Sequence, residues 1–390
     1  MKKDWTYKKL GEVCDILNGY AFKSNKYVDK GIRVIRIANV QKGIIVDDQP
    51  AFYPLSTQSE IDKYILNEGD ILMSLTGNVG RVGILQKEML PAALNQRVAC
   101  LRMNDNSLYS KFFFHYLNSD LFEQKCIASA RGIAQLNMST EWLKEQFIPI
   151  PPLSIQRSIV AELDLLHSVI SKKKEQRREL DNLAQSLFYQ MFGDPITNPM
   201  GWEVKKLGEV GTFERGKGIS KSDFVDDGVP CVHYGQLHTA FGAYTTKHLA
   251  CIPESLIDNP RIAHPGDVLL ALTSEDVEGS CKSTAWYGDY DIIVGSDAAV
   301  YHHNQDGMYI SFYTRTEAFY KQKEKYAHGF KVTHISTKDI ETFTIPLPPL
   351  SLQQSFAAKV CTIEAQKQAI TLSIKETEAL LAQRMDTYFS

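Results

Sequence analysis

The sequence is short of most signatures that would place it quickly. No uninterrupted apolar run approaches the ~18 residues of a membrane-spanning helix. The basic start, Met1-Lys2-Lys3, is followed by no apolar stretch, so no secretory signal is expected. Seven cysteines (14, 100, 126, 231, 251, 281 and 361) are scattered, and no two are spaced C-x-x-C. Neither a disulfide framework nor a zinc knuckle is indicated, and a reducing cytoplasm is the expected compartment. Neither charge dominates: 43 Lys+Arg face 46 Asp+Glu, for a net charge of −3. That excludes a protein coating nucleic acid by bulk charge, though not a local basic face.

Catalytic motifs are missing as well. There is no G-x-G-x-x-G opening a βαβ unit and no G-x-x-x-x-G-K-S/T phosphate loop. No Asn/Asp-Pro-Pro-Tyr/Phe run for exocyclic-amine methylation occurs. Gly216-Lys217-Gly218 is too isolated for a phosphate loop. Asp267, Glu278 and Lys282 have the wrong spacing for a nuclease set. Eight of ten histidines lie in the second half, and the pairs His233/His238 and His302/His303 lack a Cys or carboxylate at metal spacing. No metal site is expected.

What is present is a tandem repeat. Trp5-Thr6-Tyr7-Lys8-Lys9-Leu10-Gly11-Glu12-Val13 returns 197 residues later as Trp202-Glu203-Val204-Lys205-Lys206-Leu207-Gly208-Glu209-Val210. In the same register Gly69-Asp70 returns as Gly266-Asp267, and Ser139-Thr140 as Ser336-Thr337. Pro151-Pro152-Leu153-Ser154-Ile155-Gln156 returns as Pro348-Pro349-Leu350-Ser351-Leu352-Gln353. The loops between these anchors diverge: Leu75–Gly80 is two residues shorter than Leu272–Gly279. Matching scaffold with unlike loops indicates one framework carrying two different sites.

Each repeat reads as a globular part and a helix. Ile32, Val34 and Ile37 alternate with Arg33 and Arg36 from Gly31 to Val40, a half-buried strand with both arginines on its polar face. Leu108 to Leu121 is aromatic-rich and reads as a short helix. Prolines 149, 151 and 152 are expected to stop the domain, because proline breaks ladders and helices. Beyond them Ser154 is the expected N-cap of a long helix. Ile159, Leu163, Leu166, Ile170 and then Leu180, Ala184, Leu187, Met191 follow heptad steps, interrupted by Lys173 and Arg177. The second copy runs Phe356, Val360, Ile363, Ile370, Ile374, Leu381, interrupted by Lys367 and Thr377. A helix from about 155 to 191 would be roughly 55 Å long. It cannot bury its stripe in one small domain, so the other copy is its expected partner. The chain must run out along one helix and back along the other, so the pair is expected to be antiparallel with a globular head at each end. Phe188, Tyr189, Met191 and Phe192, and Met385, Tyr388 and Phe389, are expected to dock helices on heads or on a partner's helices.

Two unlike heads on a stiff rod suit an asymmetric, split DNA sequence with a fixed unread gap of up to about 16 base pairs. Here a family resemblance emerges. The chain resembles the specificity subunit of type I restriction-modification systems over its whole length. The residues carrying this are Trp5–Val13 and Trp202–Val210, the two Gly-Asp strands, Leu94-Asn95-Gln96-Arg97-Val98, and the two Pro-Pro-Leu-Ser segments with their Gln. Phe192-Gly193-Asp194-Pro195 and Gly201-Trp202 add the family's joint. The resemblance implies an α+β architecture: two mixed α/β target-recognition domains at opposite ends of a long antiparallel two-helix coiled coil. The expected divisions are 1–150, 151–193, 194–345 and 346–390. It also implies a non-catalytic chain that binds double-stranded DNA. Two modification (methyltransferase) subunits, which carry S-adenosylmethionine and methylate adenine, and the restriction subunits are the implied partners. No cofactor is expected in this chain.

Arg and Lys suit guanine, and Asn and Gln suit adenine. Candidate DNA contacts in the first head are Lys23, Ser24, Thr76, Asn78, Arg81, Asn95, Gln96, Arg97, Arg131 and Gln135. In the second they are Lys217, Ser220, Lys221, Tyr234, Gln236, Ser274, Lys282 and Lys331. The basic run Lys172–Glu179 reads as a solvated helix face, with contact to DNA across the unread gap or to a partner subunit as the alternative. Residues 1–150 carry 19 basic and 16 acidic side chains, and residues 201–345 carry 14 and 20. The acidic second head would need its partners to neutralise phosphates. It also motivates a competing reading, a structural adaptor whose heads bind protein.

Overall fold

The computed structural model describes residues 5–132, 136–326 and 333–390. Two compact units are present, residues 1–174 with 372–390, and residues 175–371.

In the first unit an antiparallel four-stranded sheet runs in the order Cys14–Asn18, Val98–Met103, Ile71–Ser74, Val82–Ile84. Against it lies a three-stranded sheet of Phe52–Tyr53, Ile32–Ile35 and Ala92–Leu94. The second unit repeats the plan with five strands (Gly211–Arg215, Ala298–His303, Val268–Ala271, Ser283–Trp286, Tyr244–Thr245) and four (Ala250–Ile252, Val229–Val232, Ile292–Val294, Ile262–Ala263). The Trp-to-Val repeats form equivalent ribbons. Thr6–Lys9 pairs antiparallel with Phe147–Ile150, and Glu203–Lys206 with Thr344–Leu347.

The repeated Gly-Asp has one local reason in both units. Gly69 and Gly266 take positive φ (82° and 100°), which a side chain resists. Asp70 and Asp267 then accept the backbone N–H three residues earlier, from Asn67 at 2.8 Å and His264 at 2.7 Å, closing the turn. Each carboxylate also holds a neighbouring strand. Asp70 takes a two-pronged contact from Arg102 (2.9 and 2.7 Å), and Asp267 meets His302 Nδ1 at 2.8 Å.

Three local expectations are corrected. Pro149 sits inside the strand Phe147–Ile150 rather than ending it. This ribbon has two strands, so a residue with no N–H is tolerated on an edge. The strand begun at Ile32 stops at Ile35, because the buried Asn39 side chain accepts Arg36 N–H (2.9 Å) and donates to Val46 O (3.0 Å), turning the chain into a 3-10 turn. The aromatic segment is two helices, Ser110–Leu117 and Asp120–Ser129, parted where the Ser119 hydroxyl caps the second.

The long helices are Leu153–Phe192 and Leu350–Phe389, 40 residues each. The first begins one residue before the expected cap Ser154. Pro152 O and Pro349 O instead receive the first helical N–H groups of their helices. Within each unit the helical segments run antiparallel. In the first unit Lys173 Nζ donates to Ser373 Oγ (2.7 Å) and Thr377 Oγ1 (2.9 Å), while Arg384 pairs with Glu162 (2.9 Å). In the second, Lys367 pairs with Asp181 at 2.5 Å. Two of the residues that interrupt the apolar seams, Lys173 and Thr377, thus find each other, and a third, Lys367, finds Asp181 across the pair, as polar seam positions do when they fix register.

The helix ends dock as expected. Phe188 and Phe192 are buried against Tyr309 and Phe356 in the second unit, with ring centroids 4.8–5.7 Å apart. Phe389 is buried against Phe112 and Tyr116 in the first, both at 5.6 Å. The joint after the first long helix is closed by Gly193 at φ 79°, by Trp202 Nε1 donating to Phe192 O (2.8 Å), and by an Asn198 amide clamp on Trp202. In the basic run, Lys172 and Gln176 to Arg178 are exposed, whereas Lys173 enters the seam.

Candidate nucleic-acid interface

In the first unit Arg36 with the 3-10 turn Ile37–Asn39, the segment from Phe22 to Tyr27 and the turn Asn95–Arg97 enclose a cleft of about 440 Å³. Ser24, Asn95, Gln96 and Arg97, four of the candidates, line it together, and Lys23 stands exposed immediately before Ser24. The Asn95 side chain accepts Arg97 N–H at 3.1 Å and so shapes the turn that presents Gln96 and Arg97.

The other first-head candidates lie elsewhere. Thr76 is buried and its hydroxyl donates to Asn137 Oδ1 (2.9 Å). Asn78 is exposed beyond it, its carbonyl accepting the Ser74 hydroxyl. Arg81 donates to Gln41 Oε1 at 2.6 Å, and Arg131 is exposed while its backbone pairs with Asn137. Gln135 is outside the described residues.

The second unit has a larger cleft, about 1130 Å³, bounded by the helix Tyr234–Thr239, the 273–282 loop and the start of the helix Glu317–Lys323. Lys221, Tyr234, Ser274 and Lys282 line it together. Lys282 is braced inward, Nζ to His238 O at 2.7 Å, and burial pulls its pKa down, with Arg315 adding to the effect. Lys217, Ser220 and Gln236 do not line this cleft. Lys217 pairs with Asp258 (3.5 Å), Ser220 donates to Asp223 (2.8 Å), and Gln236 Oε1 accepts His233 N–H (2.9 Å). Lys331 is outside the described residues.

Sequence reasoning missed several lining residues. In the first cleft these are Phe22, Tyr27 and Arg36, and in the second His238, Arg315 and Lys323. Lys323 is buried, and its ammonium donates to Glu278 O and Ser280 O, both at 2.7 Å, pinning the 273–282 loop. Arg315 holds Ser283 O (2.7 Å) and Gly242 O (3.0 Å). Lys323 comes from the helix Glu317–Lys323 and Arg315 from the turn before it, far along the chain from the carbonyls they hold and with no local pattern to mark them. Arg36 had a signal, but an alternating strand pattern masked it.

The chemistry of these clefts is hydrogen bonding. Burial pushes the Cys14, Cys126 and Cys281 thiols up to about 12, far from the thiolate a nucleophile needs. Asp267 is engaged with His264 and His302, and Lys282 with His238, so the loose nuclease set is divided among structural contacts. Among the described residues no group of three His, Cys, Asp or Glu could hold a metal ion, and no helix is long and apolar enough to cross a membrane. Loop amides, hydroxyls and cations on a rigid sheet frame are what base edges and phosphates require.

A duplicated α+β scaffold with an unlike polar cleft in each copy is a two-headed recognition protein. The chain belongs to the type I restriction modification DNA specificity domain family, whose model matches residues 2–182 and 199–377. A putative type I restriction enzyme MjaX specificity subunit of Methanocaldococcus jannaschii is 26% identical over 97% of this chain and 90% of its own length. The EcoAI specificity subunit of Escherichia coli is 32% identical over 45% of this chain, and the match spans only 30% of that protein. The MjaVIII specificity subunit of M. jannaschii is 27% identical over 47% of this chain and 44% of its own length. The fold is shared with a chain from a study of complex assembly and conformational transition in a type I R-M system (TM-score 0.62, 22% identity, 100% of this chain and 98% of that one). It is also shared with the S subunit from M. genitalium (TM-score 0.53, 14% identity, 100% and 98%).

Proposed function

We propose that this chain is the DNA-reading, non-catalytic specificity subunit of a type I restriction-modification complex. Each head reads one half of a bipartite, asymmetric target, and partner subunits methylate adenine or cleave. The observation that carries this reading is the pair of unlike clefts in two copies of a DNA specificity domain. Two modification subunits supply S-adenosylmethionine chemistry, and restriction subunits complete the assembly in the cytoplasm. Phosphate neutralisation at the acidic second head falls largely to those partners. The test is co-expression with a modification subunit from the same genome, followed by purification and methylation sequencing. A stable complex that methylates one split sequence is the expected result. Failure to form the complex, or methylation without sequence preference, refutes the proposal and leaves the protein-binding adaptor.

A further inference from the structure

The place that the first cleft holds in the duplicated scaffold recurs in the second unit with different side chains, beside the larger cleft there rather than in its lining. The strands Ile32–Ile35 and Val229–Val232 are each followed by a residue whose N–H is accepted by a side-chain oxygen three residues on: Arg36 by Asn39 and His233 by Gln236, both at 2.9 Å. The turns Asn95–Arg97 and Gly295–Asp297 are likewise equivalent. Tyr20 N–H meets Leu94 O as Lys217 N–H meets Val294 O, and Leu75 N–H meets Arg97 O as Leu272 N–H meets Asp297 O. The first head therefore places Arg36 and Arg97 where the second places His233 and Asp297.

Arg33 shows what a structural arginine looks like here. It donates to Met89 O (2.7 Å), pairs with Asp47 (2.9 Å) and lies over the Phe52 ring. Arg36 differs. Its side chain is held by a carbonyl rather than a carboxylate: Nη2 donates to Gln49 O at 2.5 Å and orients the guanidinium at the first cleft. Among the described residues no ion pair holds Arg36 or Arg97. A phosphate contact needs only a mobile cation, whereas an anchored planar fork matches the O6 and N7 acceptors of guanine. We propose that Arg36 is the residue by which the first head reads a guanine; at the equivalent position the second head carries His233, which has no such fork. This rests on the DNA-reading role proposed above.

The test uses the assembled complex and a duplex carrying the split target defined by methylation sequencing. Each guanine of both halves is replaced in turn by 7-deazaguanine, which lacks the N7 acceptor. At one guanine of one half, wild-type binding should fall roughly tenfold. Arg36→Gln should lose a similar factor on the natural duplex and no longer sense that replacement. Arg36→Lys keeps the charge without the fork and should behave like Arg36→Gln. Unchanged responses in the other half show that the variants are folded. The assignment is overturned by a target half lacking guanine, by losses that multiply independently, or by full rescue with lysine. It is also overturned if Arg36→Gln weakens every duplex alike and lowers the salt slope by about one, the mark of a phosphate contact. A wild-type assembly with no site preference would instead refute the function itself, and the assignment with it.

Discussion

The glutamine of each Pro-Pro-Leu-Ser segment should hold a head to its helix, and removing it should loosen that head alone. Gln156 is fully buried. Its Oε1 accepts Tyr109 N–H (2.7 Å), and its Nε2 donates to Ser107 O and Pro151 O (2.8 Å each). Gln353 repeats the bracket, accepting Asp306 N–H (3.0 Å) and donating to Pro348 O and Gln305 Oε1 (2.8 Å each). Methionine nearly conserves the volume, so Gln156→Met leaves little cavity and isolates the polar loss. Each buried group left unmet costs about 1–3 kcal/mol. Ser107 and Tyr109 are only half-buried and can recover water, so about 3 kcal/mol overall is expected. For a unit of this size that is a fall in Tm of roughly 6–12 °C. Calorimetry should show one transition moving, and hydrogen exchange should rise around 105–111 for Gln156→Met. For Gln353→Met it should rise around 303–309. A loss under about 1 kcal/mol, or faster exchange in the wrong unit, would refute the bracket.

Phe389→Ala should destabilise the first unit by about 3 kcal/mol, the lower end for a buried phenylalanine because a helix terminus can relax. Faster exchange in Ser110–Leu117 without change in Gly307–Tyr313 is the expected reading, and no change in either would count against the docking. Burial pushes His303 from its ordinary 6.5 down to about 4. Between those values the unfolded chain binds a proton that the folded chain does not, so this stability is fully present above pH 6.5 and is lost as pH falls towards 4. The slope is about 1.4 kcal/mol per pH unit. His303→Gln should flatten urea-derived stability between pH 7 and 5 relative to wild type, and an identical slope would exclude His303 as the cause. Adding one heptad to both long helices, at 173–175 and 371–373, should lengthen the unread spacer of the DNA target or abolish binding. Altered bases within a half-site would contradict a spacer role for the helices.

The scaffold was legible because its recurring residues do local work that tolerates little change. Gly69 and Gly266 must take positive φ, Asp70 and Asp267 must accept the same backbone N–H, and Gln156 and Gln353 must satisfy the buried carbonyls of Pro151 and Pro348. Such contacts lie within a few residues of one another or at a fixed repeat distance, so a single sequence displays them. The clefts were only partly legible because they are assembled across the chain. Lys323 reaches carbonyls at 278 and 280, and Arg315 those at 242 and 283, with no spacing rule to connect them. Heptad steps located the helices but not the contact that fixes their register. Lys173 looked like a defect in the seam until Ser373 and Thr377 were found opposite it.

The charge reversal between the heads was hidden for a different reason. The constant 197-residue shift sets Arg97 beside Val294, an apolar strand residue, and suggests that the arginine has no counterpart. The hydrogen bonds of Leu75 and Leu272 show that the true counterpart is Asp297, three residues further along. By strand pairing the longer 273–282 loop moves the register forward four residues, one is given back before Val294, and the rest returns by the point where Tyr109 and Asp306 meet their glutamines. A loop that grows inside a fixed frame changes which side chain stands at an equivalent turn without disturbing the strands on either side. That is how one duplicated scaffold can come to carry an arginine in one head and a carboxylate in the other, and read two different sequences.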